Sequence, residues 1–119
     1  IHANNWDEIS EKSNNIDIEL PSHISDEYYL KTLSAELPKV FTVFNPDLVI
    51  YIAGSDPYIK DTLGDFDISE EGMLQRDIFI YRESIRRNIP LVVLGGGGYG
   101  PESWKIYFNF IKWVITKGK

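Results

Sequence analysis

The chain has 119 residues, the length of one domain that can bury a core of its own. Its 43% hydrophobic and 25% charged residues are typical of a globular protein and argue against disorder. The net charge of -6 argues against a broad surface for nucleic acid or anionic lipid, and the absence of cysteine excludes disulfides and thiolate zinc sites. We therefore predict no direct nucleic-acid or membrane partner, and a cytoplasmic location, or a nuclear one in a eukaryote.

The first part of the chain predicts a strand and an amphipathic helix. Residues 1–15 are polar and predict a loop. Strict alternation of apolar and polar residues in Ile16–Leu20 predicts a half-buried strand at a sheet edge. Apolar residues then recur at helical spacing as far as Phe44, after an N-cap at Ser25. Pro38 lies inside this pattern and predicts a kink rather than a break, because the apolar stripe continues beyond it.

The second part predicts two buried strands separated by a loop and a helix. The runs Leu48–Ala53 and Pro90–Leu94 are short, apolar and rich in β-branched residues, which is typical of buried parallel strands. Residues 57–68 are polar and predict a loop, and Ser69 predicts the N-cap of a helix. The apolar stripe of that helix consists of Met73, Leu74, Ile78, Tyr81 and Ile85.

The last element is a helix that is apolar on nearly all sides. Pro101 suits a first helical position, and residues 103–117 continue the helix. A helix with this composition requires cover on several sides. The alternation of strands and helices predicts an α/β fold, a three-layer αβα arrangement with a mostly parallel sheet.

Two reactive side chains follow the predicted parallel strands. Asp56 comes after the first, and Tyr99 comes after the second and its glycine run. Open α/β sheets bind ligands at the carboxyl ends of their strands, so these residues predict a site. The run Gly95–Gly100 also fits the dinucleotide-binding fingerprint, but that fingerprint needs a following strand with an acidic residue, and only one helix follows here. Anion binding at the start of the last helix stays open as an alternative.

Five ordered segments of the chain form a recognisable combination. They are Asp17–Pro21, Ser25–Tyr29, Asn45–Asp56, Lys60–Gly64 and Leu94–Tyr99. Together they resemble the C-terminal part of the zinc-dependent histone deacetylase family. The resemblance implies a partial arginase/deacetylase fold, in which residues 1–119 form the C-terminal part of a single deacetylase domain. The surroundings of Pro57, Leu63 and Arg76–Asp77 resemble bacterial and class IV members of the family more than class I.

The resemblance also implies roles for individual residues. Family members hold zinc with two aspartates and a histidine, use a histidine as general base, and stabilise the oxyanion with a tyrosine. Asp56 matches the last aspartate ligand and Tyr99 matches the tyrosine. Leu63 matches an apolar residue at the channel mouth, and the glycines, Gly97 among them, would close around an acyl-lysine channel. The implied cofactor is Zn²⁺, and the implied substrate is an acetylated lysine peptide or a small acylated amine.

The match is incomplete in a way that sets further expectations. The family's Asp-x-His ligand pair and its paired histidines match nothing in this chain, because neither His2 nor His23 corresponds to them. We expect these groups upstream of Ile1, in an N-terminal part of the domain that acts as partner. The isolated chain is then expected to bind zinc poorly and to lack activity. A non-catalytic binding module on the same scaffold, and an anion-binding α/β domain, are the alternatives.

The loop after Asp56 leaves two further readings open. Leu63 is either a contact at the channel mouth or an apolar anchor that pins the loop to the core. Asp61, Asp65 and Asp67 lack the order of a calcium-binding loop and are interpreted as turn and solvated residues. Lys60 stands where the family commonly has glycine, which puts the shape of this loop in question.

Overall fold

A computed structural model describes residues 1–3 and 15–118 of the chain. This described part contains four strands and three helices. In chain order they are β1 His2–Ala3, β2 Glu19–Leu20, α1 Asp26–Phe44, β3 Val49–Ile52, α2 Glu70–Arg86, β4 Leu91–Leu94 and α3 Ser103–Lys117. Both strand pairs are parallel, which confirms the predicted α/β class.

The strands form two separate pairs within the described residues. β1 pairs with β2, and β3 pairs with β4 across the α2 crossover. The predicted loop over residues 1–15 is wrong at His2 and Ala3, which form β1, while residues 4–14 lie outside the described part. The strand predicted over Ile16–Leu20 is shortened to β2. Among the described residues, β1 pairs only with Glu19 and Leu20. Residues 16–18 therefore have the alternating pattern of a strand but lie outside β2.

The side chains of the central strands, for which the composition predicts burial, are largely exposed among the described residues. The side chains of Ile50 and Ile52 in β3 are 60% and 67% exposed, and Val92, Val93 and Leu94 in β4 are also exposed. Parallel strands of this composition are normally covered on both faces. Among the described residues, the face that carries Ile50 and Ile52 is only partly covered.

The helix α1 has the bounds that its apolar spacing predicts. It continues through Pro38 without a break and ends where Asn45 adopts a left-handed conformation with φ of 42°. The N–H of Asn45 donates to the carbonyl oxygen of Phe41 at 3.0 Å. This left-handed residue satisfies one of the last helical carbonyls and turns the chain toward β3.

The two predicted N-caps have different outcomes. Ser69 caps α2 as predicted, because its hydroxyl oxygen accepts the N–H of Gly72 at 3.0 Å. Ser25 makes no side-chain capping bond to α1. Instead, the carboxylate of Asp26 accepts the N–H of Ser69 at 2.7 Å and its hydroxyl at 2.5 Å. The first turn of α1 is therefore tied to the start of α2.

The helix α2 contacts both α1 and α3, and its buried face is more polar than predicted. Ile85 is exposed, whereas Arg76, Asp77, Glu83 and Ser84 are buried together with Met73, Ile78 and Ile80. Glu83 accepts the guanidinium of Arg86 at 3.0 Å and also that of Arg87. Charged side chains can be buried on α2 because they form ion pairs with one another, although the apolar pattern does not place them in the core.

The helix α3 is only partly covered. It begins at Ser103, two residues after Pro101, which lies in the preceding turn. Ile106 and Phe110 are buried, and an exposed stripe runs along another side. This α3 stripe consists of Trp104, Phe108, Ile111 and Ile115. No helix in the described part of the chain is both long enough and apolar enough to cross a membrane.

Candidate active site

The pairing of β3 with β4 brings their two following loops together. Ile52 lies opposite Leu94, and the N–H of Ala53 donates to the carbonyl oxygen of Leu94 at 2.8 Å. The chain after β3 therefore begins beside the glycine run that follows β4. We call residues 54–68 the β3–α2 loop and residues 95–100 the glycine loop.

The glycine loop packs directly on Ser55 and Asp56. A Cβ on Gly97 would lie 2.4 Å from Oδ1 of Asp56, and a Cβ on Gly98 would lie 1.9 Å from Oγ of Ser55. Both glycines have positive φ values, 54° and 103°, which side chains other than glycine rarely tolerate. The hydroxyl of Tyr107 on α3 also donates to the carbonyl oxygens of Gly96 and Gly97, at 3.2 and 3.0 Å. Glycine is therefore required here for close approach.

A cavity of about 360 Å³ opens beside this contact. Its lining includes Asp56, Gly97, Tyr51 and Arg76. Neither Tyr99 nor Leu63 belongs to its lining. The structure thus brings Asp56 and Gly97 together at one cavity and leaves the other two predicted site residues outside it.

Tyr99 is held by its backbone rather than by its side chain. Its N–H donates to Oδ2 of Asp61 at 2.6 Å, and its carbonyl oxygen accepts the hydroxyl of Thr62 at 3.3 Å. The side chain of Tyr99 is 62% exposed. The phenol therefore points away from the core, at the surface where the β3–α2 loop and the glycine loop meet.

Asp61 is the residue that the sequence interpretation missed. It accepts four backbone N–H groups, two from its own loop and two from the glycine loop. Partial burial alone would raise the pKa of Asp61, but the bonds from Tyr99, Leu63, Gly64 and Gly100 outweigh it and lower that pKa. The reading of Asp61 as a merely solvated turn residue is wrong.

Leu63 follows the same turn with its side chain toward solvent. It is 57% exposed, so it does not anchor the loop to the core. Its N–H and that of Gly64 donate to Oδ1 of Asp61, at 2.8 and 2.9 Å. The turn around Asp61 therefore presents an apolar side chain at the surface.

A buried charge pair supports the strand end that carries Asp56. Arg76 and Asp77 are 4% and 1% exposed, and Nε of Arg76 donates to Oδ1 of Asp77 at 2.8 Å. Nη1 of Arg76 donates to the carbonyl oxygen of Gly54 at 2.7 Å, and the hydroxyl of Tyr51 donates to Asp77 at 2.5 Å. Burial raises the pKa of Tyr51, which keeps its hydroxyl protonated as a donor.

One sequence signal could have identified this pair. Asp77 lies four residues after Met73 and three before Ile80, at the spacing of the buried helix face. A charge at such a position is buried only when a partner accompanies it. Arg76 is adjacent and donates to Asp77, and the hydroxyl of Tyr51 on β3 is the second donor to the same carboxylate.

The described residues do not by themselves fit a complete zinc site. No group of three or more His, Cys, Asp or Glu side chains in residues 1–3 and 15–118 is arranged to hold a metal. Asp56 offers one hard carboxylate, which is a normal zinc ligand but needs two or three further donors. The described residues can contribute to such a site and do not complete one.

Comparison with known proteins identifies the family. The model of the histone deacetylase domain family matches residues 2–110. The chain belongs to the histone deacetylase family. Among related histone deacetylases, Histone deacetylase 2 of Arabidopsis thaliana is 36% identical over 101 residues, and Histone deacetylase 8 of Xenopus laevis is 31% identical over 84 residues. These alignments cover 85% and 71% of this chain but only 26% and 25% of the relatives.

Solved structures place the histone deacetylase chain in the same fold. A histone deacetylase homologue in complex with SAHA superimposes with a TM-score of 0.70 and 30% sequence identity, covering 88% of this chain and 27% of that one. The HD domain of HDA15 gives a TM-score of 0.62 at 24% identity, over 85% of this chain and 30% of that one. The predicted partial arginase/deacetylase fold is confirmed. The chain spans about a quarter of the length of the relatives it matches.

Proposed function

We propose that this chain is the C-terminal part of a single zinc-dependent deacetylase domain that hydrolyses the amide of acetyl-lysine or of a related acylated amine. The observation that carries the proposal is the meeting of Asp56 with the glycine loop at the carboxyl ends of two paired parallel strands. Membership of the histone deacetylase family supports the reaction class. The finer assignment to bacterial or class IV members remains a prediction.

Each proposed site residue has a chemical role in this reaction. Asp56 would provide one carboxylate ligand to zinc, and zinc, when bound, supplies an acidified water and a Lewis acid. Tyr99 would donate its hydroxyl proton to the oxygen that becomes negative as the amide is attacked, an interaction that strengthens only in the transition state. Leu63 would contact the aliphatic part of the substrate, and Gly97 would let backbone close around it. The general base and the other ligands are expected from the rest of the domain.

The uncovered apolar surface supports a role for the rest of the domain as partner. Ile50 and Ile52 on β3 are exposed, as is the α3 stripe. An apolar cleft of about 420 Å³ also lies between α3, α2 and β4, lined by residues such as Tyr81, Leu91 and Phe110. Exposed apolar patches normally mark an interface when they are large. A further part of the same domain fits it, because the matched relatives are about four times longer than the aligned segment.

The test is to purify the natural full-length protein and measure zinc by elemental analysis and turnover of an acetyl-lysine peptide. We expect stoichiometric zinc and steady turnover. Asp56→Asn should lose zinc, and Tyr99→Phe should keep zinc while kcat falls by roughly 10²- to 10³-fold. Tyr28→Phe is the matched control, because Tyr28 is an exposed tyrosine on α1.

The 119-residue chain provides the complementary measurement. Alone it should bind zinc substoichiometrically and turn over no peptide. Turnover by this chain would contradict the assignment of the general base to the rest of the domain. A full-length protein that lacks turnover would favour the non-catalytic binding module, and phosphate bound at Gly95–Gly100 would favour the anion-binding domain.

A further inference from the structure

One carboxylate connects the two loops that carry the proposed site residues. Asp61 lies in the β3–α2 loop, five positions after Asp56. Its Oδ1 accepts N–H groups of its own loop, and its Oδ2 accepts those of Tyr99 and Gly100, at 2.6 and 3.3 Å. The two oxygens of Asp61 therefore serve different loops.

The contact fixes both polar backbone groups of Tyr99. Its N–H is bound by Asp61 and its C=O by the hydroxyl of Thr62. The loops also touch directly, since a Cβ on Gly100 would lie 2.6 Å from the carbonyl oxygen of Lys60. With glycine on each side, the backbone of Tyr99 has little stiffness of its own. Its position is set by the loop opposite.

The partners of Asp61 indicate what its charge does. Within the described residues it forms no ion pair, and backbone N–H groups are its hydrogen-bond donors. The phenol of Tyr99 has no hydrogen-bond partner among those residues and is mostly exposed. Hence the hydrogen bonds that locate Tyr99 act on its backbone, and the bond to Asp61 is one of them.

We propose that Asp61 is a positioning residue that holds the Tyr99 backbone so that the phenol is presented at a fixed place for the reaction. The inference rests on the proposed function, in which the Tyr99 hydroxyl donates in the transition state. A displacement of about 1 Å at such a group can cost roughly a hundredfold in rate. Asp61→Asn preserves the size of the side chain but replaces one oxygen by an NH₂ group, so at least one pair of N–H bonds is lost whichever way the amide turns.

The first experiment is a kinetic double-mutant cycle in the natural full-length protein. Asp61→Asn should lower kcat by roughly 10- to 100-fold, with KM for an acetyl-lysine peptide and zinc content little changed. In the Tyr99→Phe background, Asp61→Asn should cause no further loss, because the group it positions is absent. Asp47→Asn, an exposed aspartate before β3, is the charge-matched control and should leave kcat unchanged. An equal loss from Asp61→Asn in both backgrounds would overturn the inference.

The second experiment does not depend on turnover. Amide hydrogen exchange at Tyr99 and Gly100 should accelerate in Asp61→Asn and not in Asp47→Asn. Unchanged exchange would overturn the inference even if the wild-type protein proves inactive. Inactivity of the wild-type protein would count separately, against the proposed function.

Should Asp61→Asn fail to fold, Thr62→Val removes the bond to the Tyr99 carbonyl. It should give a smaller loss of kcat that also disappears in the Tyr99→Phe background, and a loss that persists there would overturn the inference.

Discussion

Replacing Arg76 with methionine tests the buried charge pair that supports the end of β3. The substitution removes the hydrogen-bond donor to the Gly54 carbonyl oxygen. Among the described residues it leaves the 1%-exposed carboxylate of Asp77 with the Tyr51 hydroxyl as its remaining side-chain donor. Breaking a buried pair by removing one partner costs about 3–5 kcal/mol, whereas whole domains are stable by about 5–15 kcal/mol. With a urea m-value of about 1–3 kcal/mol/M, the unfolding midpoint should fall by about 2 M.

The assay is urea unfolding followed by far-UV circular dichroism, with two further variants. Arg82→Met is the control on the same helix, because Arg82 is exposed and its guanidinium lies 5.3 Å from the Trp113 ring, a contact worth about 0.5–1 kcal/mol. The double variant Arg76→Met/Asp77→Leu should recover part of the loss, since it also removes the uncompensated charge. A midpoint for Arg76→Met equal to that of Arg82→Met would refute the reasoning. So would a double variant less stable than the single one.

Three further predictions concern the site and the acid limit of stability. Gly97→Ala should weaken zinc binding by the full-length protein in a chelator competition by roughly 10- to 100-fold, because its Cβ would meet the Asp56 carboxylate at 2.4 Å. Gly95→Ala, where a Cβ meets nothing within 4 Å, should not. Burial raises the pKa of Glu83, but its hydrogen bonds to Arg86 and Arg87 outweigh burial, so the folded-state pKa is lowered. The stabilisation of the fold by the Glu83 carboxylate is therefore present above the unfolded-state pKa of about 4.3 and is lost as pH falls through the folded-state pKa. Acid titration of unfolding should therefore show the stability difference between wild type and Glu83→Gln shrinking as pH falls below the unfolded-state pKa of glutamate. Leu63→Ser should raise KM for an acetyl-lysine peptide while unfolding free energy changes by less than about 0.5 kcal/mol, and an unchanged KM would count against contact with substrate.

Local signals predict the helices well because their causes are local. The cap at Ser69 and the stop at Asn45 depend on neighbours within a turn, and both occur as the sequence indicates. The parallel pairing of β3 with β4 also follows from short apolar runs separated by a helix. The family resemblance rests on ordered segments and is confirmed over residues 2–110.

The errors concern residues whose partners are distant in the chain. Asp61 is a turn residue by its neighbours, and its partner Tyr99 lies 38 positions away. Asp77 has the charge of a solvated helix position, and its burial depends on Tyr51, which is 26 positions away on β3. Ile50 and Ile52 have the composition of a covered strand, yet their cover is not among the described residues. Residue type indicates whether a side chain favours burial or solvent. Its actual burial and hydrogen bonds depend on which distant segment packs against it.

The contact between Asp61 and the glycine loop also has a consequence for the order of folding. It joins residues 38 positions apart and requires both loops to be in place. The entropy cost of bringing these residues together is therefore offset only after β3 and β4 have paired. We expect kinetic φ-values, the ratio of the mutational change in folding activation free energy to that in stability, to lie near zero at Asp61. Substitutions there should accelerate unfolding and leave the folding rate unchanged. The protein would then acquire its fold before it acquires the geometry at Tyr99, and would lose that geometry first when it opens.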